Sequence, residues 1–150
     1  MRNSCVELSI SGEKTYRLFL DIIKLELDVL GCVDINCIQA LILMNINENV
    51  VTIGEVLTRG YYIGSNASYN LKKMVTNGYV IQTPSDYDKR ASYLKLSEKG
   101  LDLYERLDIA LQKHSAALDN TFKNKAEVEK CLEFLRKVEG LWKEKLTSHI

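Results

Sequence analysis

The amino-acid sequence predicts a mainly α-helical fold with a small β-wing, and three observations support this class. Apolar residues recur at helical spacing over most of the 150 residues, which include a single proline. Two short runs within residues 79–96 flank a charged turn and predict a β-hairpin. Positive charge gathers there: residues 58–95 carry six basic and two acidic side chains, whereas residues 1–57 carry four basic and eight acidic. The length predicts one domain, 1–150, with room for a hydrophobic core.

The first predicted helix spans about residues 13–31 and is apolar on two faces, with Gly31 as its stop. A helix with two apolar faces needs two partners. We therefore expect one face to pack on the core of the chain and the other on a second copy. One face carries Tyr16, Phe19, Leu20, Ile23, Leu27 and Leu30, and the second face carries Leu18, Ile22, Leu25 and Val29.

Capping signals define the next two helices. Asp34 is predicted to cap a helix at 35–46, followed by a polar loop. Thr52 and Glu55 form a capping box, in which the threonine hydroxyl takes an amide and the glutamate reaches back. That box predicts a short third helix ending at Gly60.

The fourth predicted helix starts at residues 64–65, ends at residues 77–78 and has the features of a helix that reads DNA. One side is apolar and is predicted to face the core, through Ala67, Leu71, Met74 and Val75. The other side carries amides and hydroxyls suited to base edges, then lysines suited to phosphates. It has no carboxylate, whereas an ordinary solvated face, which is the alternative, mixes both charges. The predicted DNA contacts are Arg59, Ser65, Asn66, Ser68, Tyr69, Asn70, Lys72 and Lys73.

The predicted hairpin pairs strands 79–83 and 92–96 and would lie beside that helix as a wing. Its tip holds Asp88, Lys89 and Arg90. We predict that Arg90 enters a minor groove, where narrow A·T tracts concentrate negative potential. Asp88 would accept hydrogen bonds that fix the tip. The alternative is a polar turn without contacts to DNA.

Two further helices complete the chain. Ser97 is predicted to cap a fifth helix running to about residue 118. A last helix, about 125–148, repeats apolar residues at alternating steps of three and four, the pattern by which one helix packs along another. Its seam is Val128, Cys131, Leu135, Val138 and Trp142. The predicted organisation is a winged helix-turn-helix lobe at 34–97, flanked by N- and C-terminal dimerisation helices at 13–31 and 118–148.

The tip sequence Asp88-Lys89-Arg90, followed by YLKLSEKG at 93–100, resembles the wing signature of the multiple antibiotic resistance regulator (MarR) family. The segment at 77–80 is similar to that family's transition from helix to wing. The resemblance implies a homodimeric bacterial transcriptional regulator that binds a pseudo-palindromic DNA operator. It also implies a small-molecule effector, bound between the dimer helices and the DNA-binding lobe. Phe19, Leu41 and Met44 are candidates for that site, with plain core packing as the alternative.

Within the family, residues 35–41 and 59–73 are similar to a narrower group of alphaproteobacterial regulators. Those proteins control an L,D-transpeptidase gene, and hence cell-wall remodelling and osmotic tolerance. Tyr69 departs from the family pattern, because most members carry a basic residue there. The base contacts typical of the family therefore do not transfer to Tyr69.

Other function classes have little support in the sequence. The two histidines, His114 and His149, lie far apart, and no hydrolase, zinc or phosphate-loop motif is present. No enzyme activity, cofactor or metal is therefore predicted. The remaining alternatives are a winged helix that binds a partner protein and a regulator that senses oxidants through cysteine.

The four cysteines predict reduced thiols in the cytoplasm, because no CxxC pair or signal peptide is present. A redox switch would require a thiol with a lowered pKa, and the residues near Cys32 and Cys37, Asp34 and Glu26, are acidic. No apolar run is long enough to span a membrane.

Overall fold

The computed structural model describes residues 3–60, 65–86, 92–121 and 125–148. The predicted fold class, mainly helical with a small sheet, is confirmed. The described elements are α1 (Ser4–Val29), α2 (Cys37–Ile46), β1 (Val51–Thr52), α3 (Ile53–Gly60), α4 (Ser65–Thr76), β2 (Val80–Pro84), β3 (Ser92–Leu96), α5 (Glu98–Thr121) and α6 (Lys125–Thr147). The chain divides into two compact units, Met1–Ala110 and Leu111–Ile150.

The sheet is antiparallel with strand order β1-β3-β2. Val80 pairs with Leu96 and Pro84 with Ser92, so the predicted hairpin is confirmed. The sequence did not predict β1, which pairs Val51 with Leu94. A strand of two residues is too short to show the alternation on which such predictions depend.

Helix α1 begins well before the predicted start at residue 13. The side chain of Asn3 accepts a hydrogen bond from the Cys5 N–H at 2.9 Å and caps the helix. Gly12 then lies inside α1, where a glycine costs about 1 kcal/mol relative to alanine. The helix ends as predicted before Gly31, which takes φ +72°. Of the two apolar faces, Ile23 and Leu27 are buried, whereas Leu18, Leu25 and Val29 are exposed.

The predicted cap of α2 was wrong. Asn36, rather than Asp34, accepts the Gln39 N–H at 2.9 Å, and the Gln39 side chain accepts the Asn36 N–H at 3.0 Å. This capping box starts α2 at Cys37 and leaves the Asp34 side chain for other partners. The predicted box at α3 is confirmed, because Glu55 accepts the Thr52 N–H at 2.6 Å and donates its own N–H to the threonine hydroxyl at 3.2 Å.

The core of the first unit holds α4 in place. Ala67, Leu71 and Met74 are buried, as predicted, and Val75 is half-buried. Helix α4 contacts α2 and β2. Each fully buried leucine or methionine contributes about 1.5–3 kcal/mol. This packing fixes which side of α4 faces outward.

The second unit contains the C-terminal part of α5 and all of α6. Helix α6 buries none of its residues. The predicted seam keeps Leu135 at 54% exposure and Trp142 at 56% exposure. Large apolar side chains this exposed are unusual on a soluble helix unless a partner covers them.

Candidate DNA-binding surface

The outward side of α4 is polar and carries positive charge. Five exposed side chains form what we call the recognition face: Asn66, Ser68, Tyr69, Lys72 and Lys73. Among the described residues, none of these side chains has a hydrogen-bond or ion-pair partner. Tyr69 is 64% exposed despite its large ring. All five groups are therefore free to bind an external ligand.

Asn70 does not belong to this face, and its predicted contact with DNA stays untested. Asn70 is only 8% exposed. Its amide donates to the Asn66 carbonyl at 2.8 Å, and its oxygen accepts from the Asn36 amide at 3.4 Å. Because α2 packs against this side of α4, Asn70 joins the two helices instead of reaching outward.

Arg59 lies in the last turn of α3 and pairs with Glu55 at 3.8 Å. Both side chains are about half exposed. The pKa of Glu55 is lowered, chiefly because its carboxylate accepts the Thr52 N–H and hydroxyl, and less by Arg59. An exposed ion pair of this length contributes little stability. Arg59 could therefore leave Glu55 and bind a phosphate at a small cost in stability.

A cluster around Asp34 joins the start of α2, the end of α4 and the start of α5. Tyr79 donates its hydroxyl to Asp34 Oδ1 at 2.5 Å, and Lys99 Nζ lies 2.8 Å from Oδ2. Lys99 also donates to the Asn77 carbonyl at 2.9 Å and lies 4.0 Å from the centre of the Tyr79 ring. Sequence reasoning missed this cluster, because its members are up to 65 residues apart.

The cluster shifts the pKa values of its members in opposite directions. The hydrogen bond from Lys99, followed by that from Tyr79, lowers the pKa of Asp34. Burial of the phenol, followed by its hydrogen bond to Asp34, raises the pKa of Tyr79. Asp34 is therefore ionised and Tyr79 neutral at physiological pH. Together they fix the segment before α2 to the first residue after α4.

The corner between α4 and the wing depends on two glycines. Gly78 ends α4 with φ +77°, a conformation that favours glycine. A Cβ on Gly100 would lie 2.2 Å from the Tyr79 carbonyl oxygen. Ser97 links the two sides by donating its hydroxyl to the Gly78 carbonyl at 2.5 Å. The SEKG segment at 97–100 therefore has a structural role at this corner.

A crevice of about 400 Å³ opens between the start of α2 and the recognition face. It is lined by the segment 33–36 and Gln39 on one side, and by Tyr69, Lys73 and Asn77 on the other. Among the described residues, Lys73 has no ion-pair partner, whereas the Asp34 carboxylate that also lines the crevice is paired with Lys99. The crevice is therefore suited to an anion.

Several predicted residues lie outside the described residues or remain untested. Asp88, Lys89 and Arg90 fall in the undescribed segment 87–91, and the side chain of Ser65 is also outside the description. Phe19 on α1 is exposed, and Leu41 and Met44 on α2 are half-buried. These two helices contact each other, and ligand binding by the three side chains stays a prediction.

The four cysteines are all free thiols. Cys32 and Cys37 are half-buried, and Cys37 Sγ lies 3.5 Å from the Leu20 carbonyl oxygen. Cys5 and Cys131 are exposed. In the part of the chain that is described, no three histidine, cysteine or acidic side chains converge as metal ligands would.

A helix packed on α2 and β2, with an outward carboxylate-free face and an adjoining antiparallel hairpin, defines a winged helix-turn-helix DNA-binding protein. The family model that matches residues 33–91 is described as the MarR family. The chain is also 35% identical over 136 residues to the exopolysaccharide II synthesis transcriptional activator ExpG of Rhizobium meliloti (strain 1021). That alignment covers 91% of this chain and 70% of ExpG. The chain belongs to the MarR family and is a DNA-binding transcriptional regulator rather than an enzyme.

Solved structures share the fold. The transcriptional regulator SlyA is similar with a TM-score of 0.78 at 16% identity, covering 92% of this chain and 95% of SlyA. Streptococcus pneumoniae FabT, solved in complex with DNA, is similar with a TM-score of 0.62 at 17% identity, covering 91% of this chain and 98% of FabT. No helix within the described ranges is long and apolar enough to cross a membrane.

Proposed function

We propose that this regulator acts as a homodimer that inserts α4 into the major groove of each half of a pseudo-palindromic operator. The observation that carries the proposal is the recognition face, whose five side chains are exposed, lack carboxylates and have no intramolecular partner among the described residues. A protein-binding face has no reason to exclude acidic residues, whereas a face that meets phosphates does.

Each part of the surface has a separate role in the proposal. Ser65, Asn66, Ser68 and Tyr69 lie in the first half of α4, where side chains reach base edges. Lys72, Lys73 and Arg59 bind phosphates. In the wing, Arg90 enters a minor groove, Lys89 binds the backbone and Asp88 orients the tip. Asn70 is excluded because it is buried and bonded within the protein.

Two exposed apolar surfaces support a homodimer. One is the second face of α1, with Leu18, Leu25 and Val29, and the other is the seam of α6, with Leu135 and Trp142. Burying such side chains yields about 25 cal/mol per Å² of apolar area. A two-fold dimer would repeat α4 at a spacing of about one turn of DNA, which explains the expectation of a pseudo-palindrome.

The relatives support DNA as the ligand and suggest the kind of gene that is controlled. FabT was solved with DNA, and it shares this fold. ExpG is named as an activator of exopolysaccharide II synthesis. We propose genes of surface polysaccharide synthesis as the first targets to test, and an L,D-transpeptidase gene as the second. A small-molecule effector, bound near Phe19, Leu41 and Met44, is part of the same proposal.

Selection of genomic fragments on the purified protein tests the function. We expect a pseudo-palindrome to be enriched upstream of a surface-polysaccharide or cell-wall gene, and candidate effectors to release it. Affinity for that fragment should fall steeply between 50 and 200 mM salt, by about 10³-fold or more for six or more phosphate contacts. Enrichment of no DNA, or tight binding that ignores salt, would contradict the proposal and favour a protein partner.

One substitution links the salt dependence to α4. Lys72→Gln should lower the slope of log affinity against log salt by about two for a dimer, one per half-site. Lys130→Gln removes the same charge from α6, which is not part of the recognition face, and should leave the slope unchanged. If both variants show the same slope, Lys72 does not contact a phosphate.

A further inference from the structure

We infer that the crevice between α2 and α4 is a binding site for one phosphate of the DNA backbone, in which the buried Gln39 donates the central hydrogen bond. We call this the phosphate seat, and it comprises Gln39 and Lys73, which line the crevice beside the N-terminus of α2. The inference rests on the proposed DNA-binding function. It adds a DNA contact from α2, the helix that precedes α3 and α4. The residue that makes this contact, Gln39, carries no charge.

The state of Gln39 is the main observation. This residue is only 4% exposed, yet it lines the crevice. Its side-chain oxygen accepts the Asn36 N–H at 3.0 Å, and its own N–H bonds to the Asn36 side chain at 2.9 Å. The side-chain amide nitrogen has no hydrogen-bond partner among the described residues. Every fully enclosed side-chain nitrogen or oxygen atom of the described residues does have a hydrogen-bond partner. The nitrogen is therefore not fully enclosed, and the crevice is the opening that Gln39 lines.

The capping box also orients this donor. Because the Asn36 N–H holds the oxygen, the amide nitrogen is the atom that Gln39 has left to donate into the crevice that it lines. Buried amides rarely leave a donor unused. An external acceptor that arrives with the ligand would complete the hydrogen bonds of Gln39.

The surroundings select an anion as that acceptor. The amides of Cys37 and Ile38, in the first turn of α2, have no acceptor within the described residues. Free amides at a helix N-terminus attract negative charge. Lys73 approaches from α4 and has no carboxylate partner in the described part of the chain. Two side-chain donors, Gln39 and Lys73, therefore line one opening next to the N-terminus of α2.

The carboxylate of Asp34 also borders the crevice but does not repel an anion strongly. Both of its oxygens are engaged, one by Tyr79 at 2.5 Å and the other by Lys99 at 2.8 Å. Lys99 compensates its charge within the cluster. The Asp34 carbonyl is occupied as well, because it accepts from the Asn77 side chain at 2.6 Å.

The position beside α4 indicates that the phosphate belongs to DNA. A helix with its side chains is about 10–12 Å across, and the major groove is about 12 Å wide. A helix in the groove therefore has a sugar-phosphate backbone along each side. Tyr69 and Lys73 belong both to the recognition face and to the crevice. When α4 is in the groove, the backbone on the α2 side passes over the phosphate seat.

Gln39→Glu separates this role from helix capping. Glutamate keeps an oxygen for the Asn36 N–H and suits a capping box, so thermal unfolding should stay close to wild type. It replaces the donor with a negative acceptor, and operator affinity should fall by at least about tenfold, because hydrogen bonds to charged groups are strong. Gln112→Glu on α5 introduces the same charge elsewhere and should bind like wild type.

A scan of the selected operator with single methylphosphonates locates the contact. One neutral replacement in each half-site should weaken wild-type protein about tenfold and have little further effect on Gln39→Glu. On an operator that carries this replacement, Lys73→Gln should bind with about the same affinity as wild type. This scan retains its meaning even if Gln39→Glu destabilises the fold, because its first arm uses wild-type protein.

Four outcomes would overturn the inference. If wild type binds the operator and Gln39→Glu binds equally well, the phosphate seat is wrong and the proposed function stands. The same holds if every methylphosphonate weakens both proteins equally. If inorganic phosphate, compared with chloride at equal ionic strength, stabilises wild type but not Gln39→Glu, while both bind operator alike, the crevice holds a free anion. Failure of wild type to bind any DNA would overturn both proposals.

Discussion

Tyr79 and Asp34, 45 residues apart in sequence, form a hydrogen bond of 2.5 Å from the phenolic hydroxyl to the carboxylate. Tyr79 directly precedes the first wing strand, and Asp34 lies just before α2. Lys99 joins them from the start of α5. The two residues therefore connect the beginning of the helix-turn-helix with the beginning of the wing, and neither belongs to the recognition face.

Asp34→Asn should destabilise the protein in a pH-dependent way. The folded-state pKa of Asp34 lies below its ordinary value of 3.8. Its contribution is therefore complete above about pH 5 and is lost as the pH falls through the folded-state pKa. The carboxylate is partly exposed, and solvent screening limits the effect to about 1 kcal/mol at pH 7. Urea unfolding of both proteins at pH 7 and pH 3 measures it, and the difference should shrink at pH 3.

Asp28→Asn is the matched control for that experiment. Asp28 pairs with Lys24 at 2.9 Å on the exposed side of α1. Because both side chains are well exposed, such a pair contributes little stability. Equal losses for Asp28→Asn and Asp34→Asn would mean that the Asp34 cluster adds nothing beyond a surface ion pair.

Gly100→Ala should be strongly destabilising. The added methyl group would lie 2.2 Å from the Tyr79 carbonyl oxygen, and this neighbour is backbone that cannot rotate away. Moving α5 away from the wing should cost about 2–4 kcal/mol, which thermal or urea unfolding would detect. Gly54→Ala in α3 meets only Thr52 Oγ1 at 3.9 Å, and it should be neutral or slightly stabilising. Equal losses of stability for Gly100→Ala and Gly54→Ala would contradict close packing between α5 and the wing at Gly100.

Asn66 and Asn70, one helical turn apart, should respond differently to alanine. Asn66→Ala removes an exposed, unbonded side chain, so stability should change by less than about 0.5 kcal/mol. Operator discrimination should fall by about 1–3 kcal/mol at one base pair. Asn70→Ala removes bonds to Asn66 and Asn36 and should cost about 1–2 kcal/mol of stability. A binding-site selection and an unfolding curve for each variant would distinguish them, and a reversed pattern would refute the assignment.

Charges on the α6 seam should dissociate the proposed dimer. Leu135→Glu combined with Trp142→Glu places two carboxylates where an apolar partner surface is expected. Light scattering should report a monomer, and operator affinity should fall because two half-sites are no longer bound together. Lys130→Glu adds a charge to another side of α6 and should leave the dimer intact. A double variant that stays dimeric would assign the interface elsewhere.

Periodic features were predictable from the sequence, and long-range polar pairs were not. Ala67, Leu71 and Met74 repeat at helical spacing, and this spacing fixed both the buried side of α4 and its outward side. The same reasoning placed Asn70 outward, because an amide pattern does not show whether another helix supplies a partner. That partner, Asn36, lies 34 residues earlier.

The capping residues illustrate a second limit. Asp34 and Asn36 are both good helix caps, and local sequence could not decide between them. The choice depends on Tyr79 and Lys99, which take the Asp34 carboxylate. The Gln39 amide was unpredictable for a similar reason, because its burial results from the packing of α2.

The unbonded recognition face has an evolutionary consequence. In the described part of the chain, the side chains of Asn66, Ser68 and Tyr69 have no bonding partner. Asp34, Tyr79, Lys99 and Gly100 hold the corner around α4 and lie outside the recognition face. Base preference can therefore drift by single substitutions at little cost to folding. Relatives built on this scaffold would then acquire new promoters while keeping the same approach to the groove.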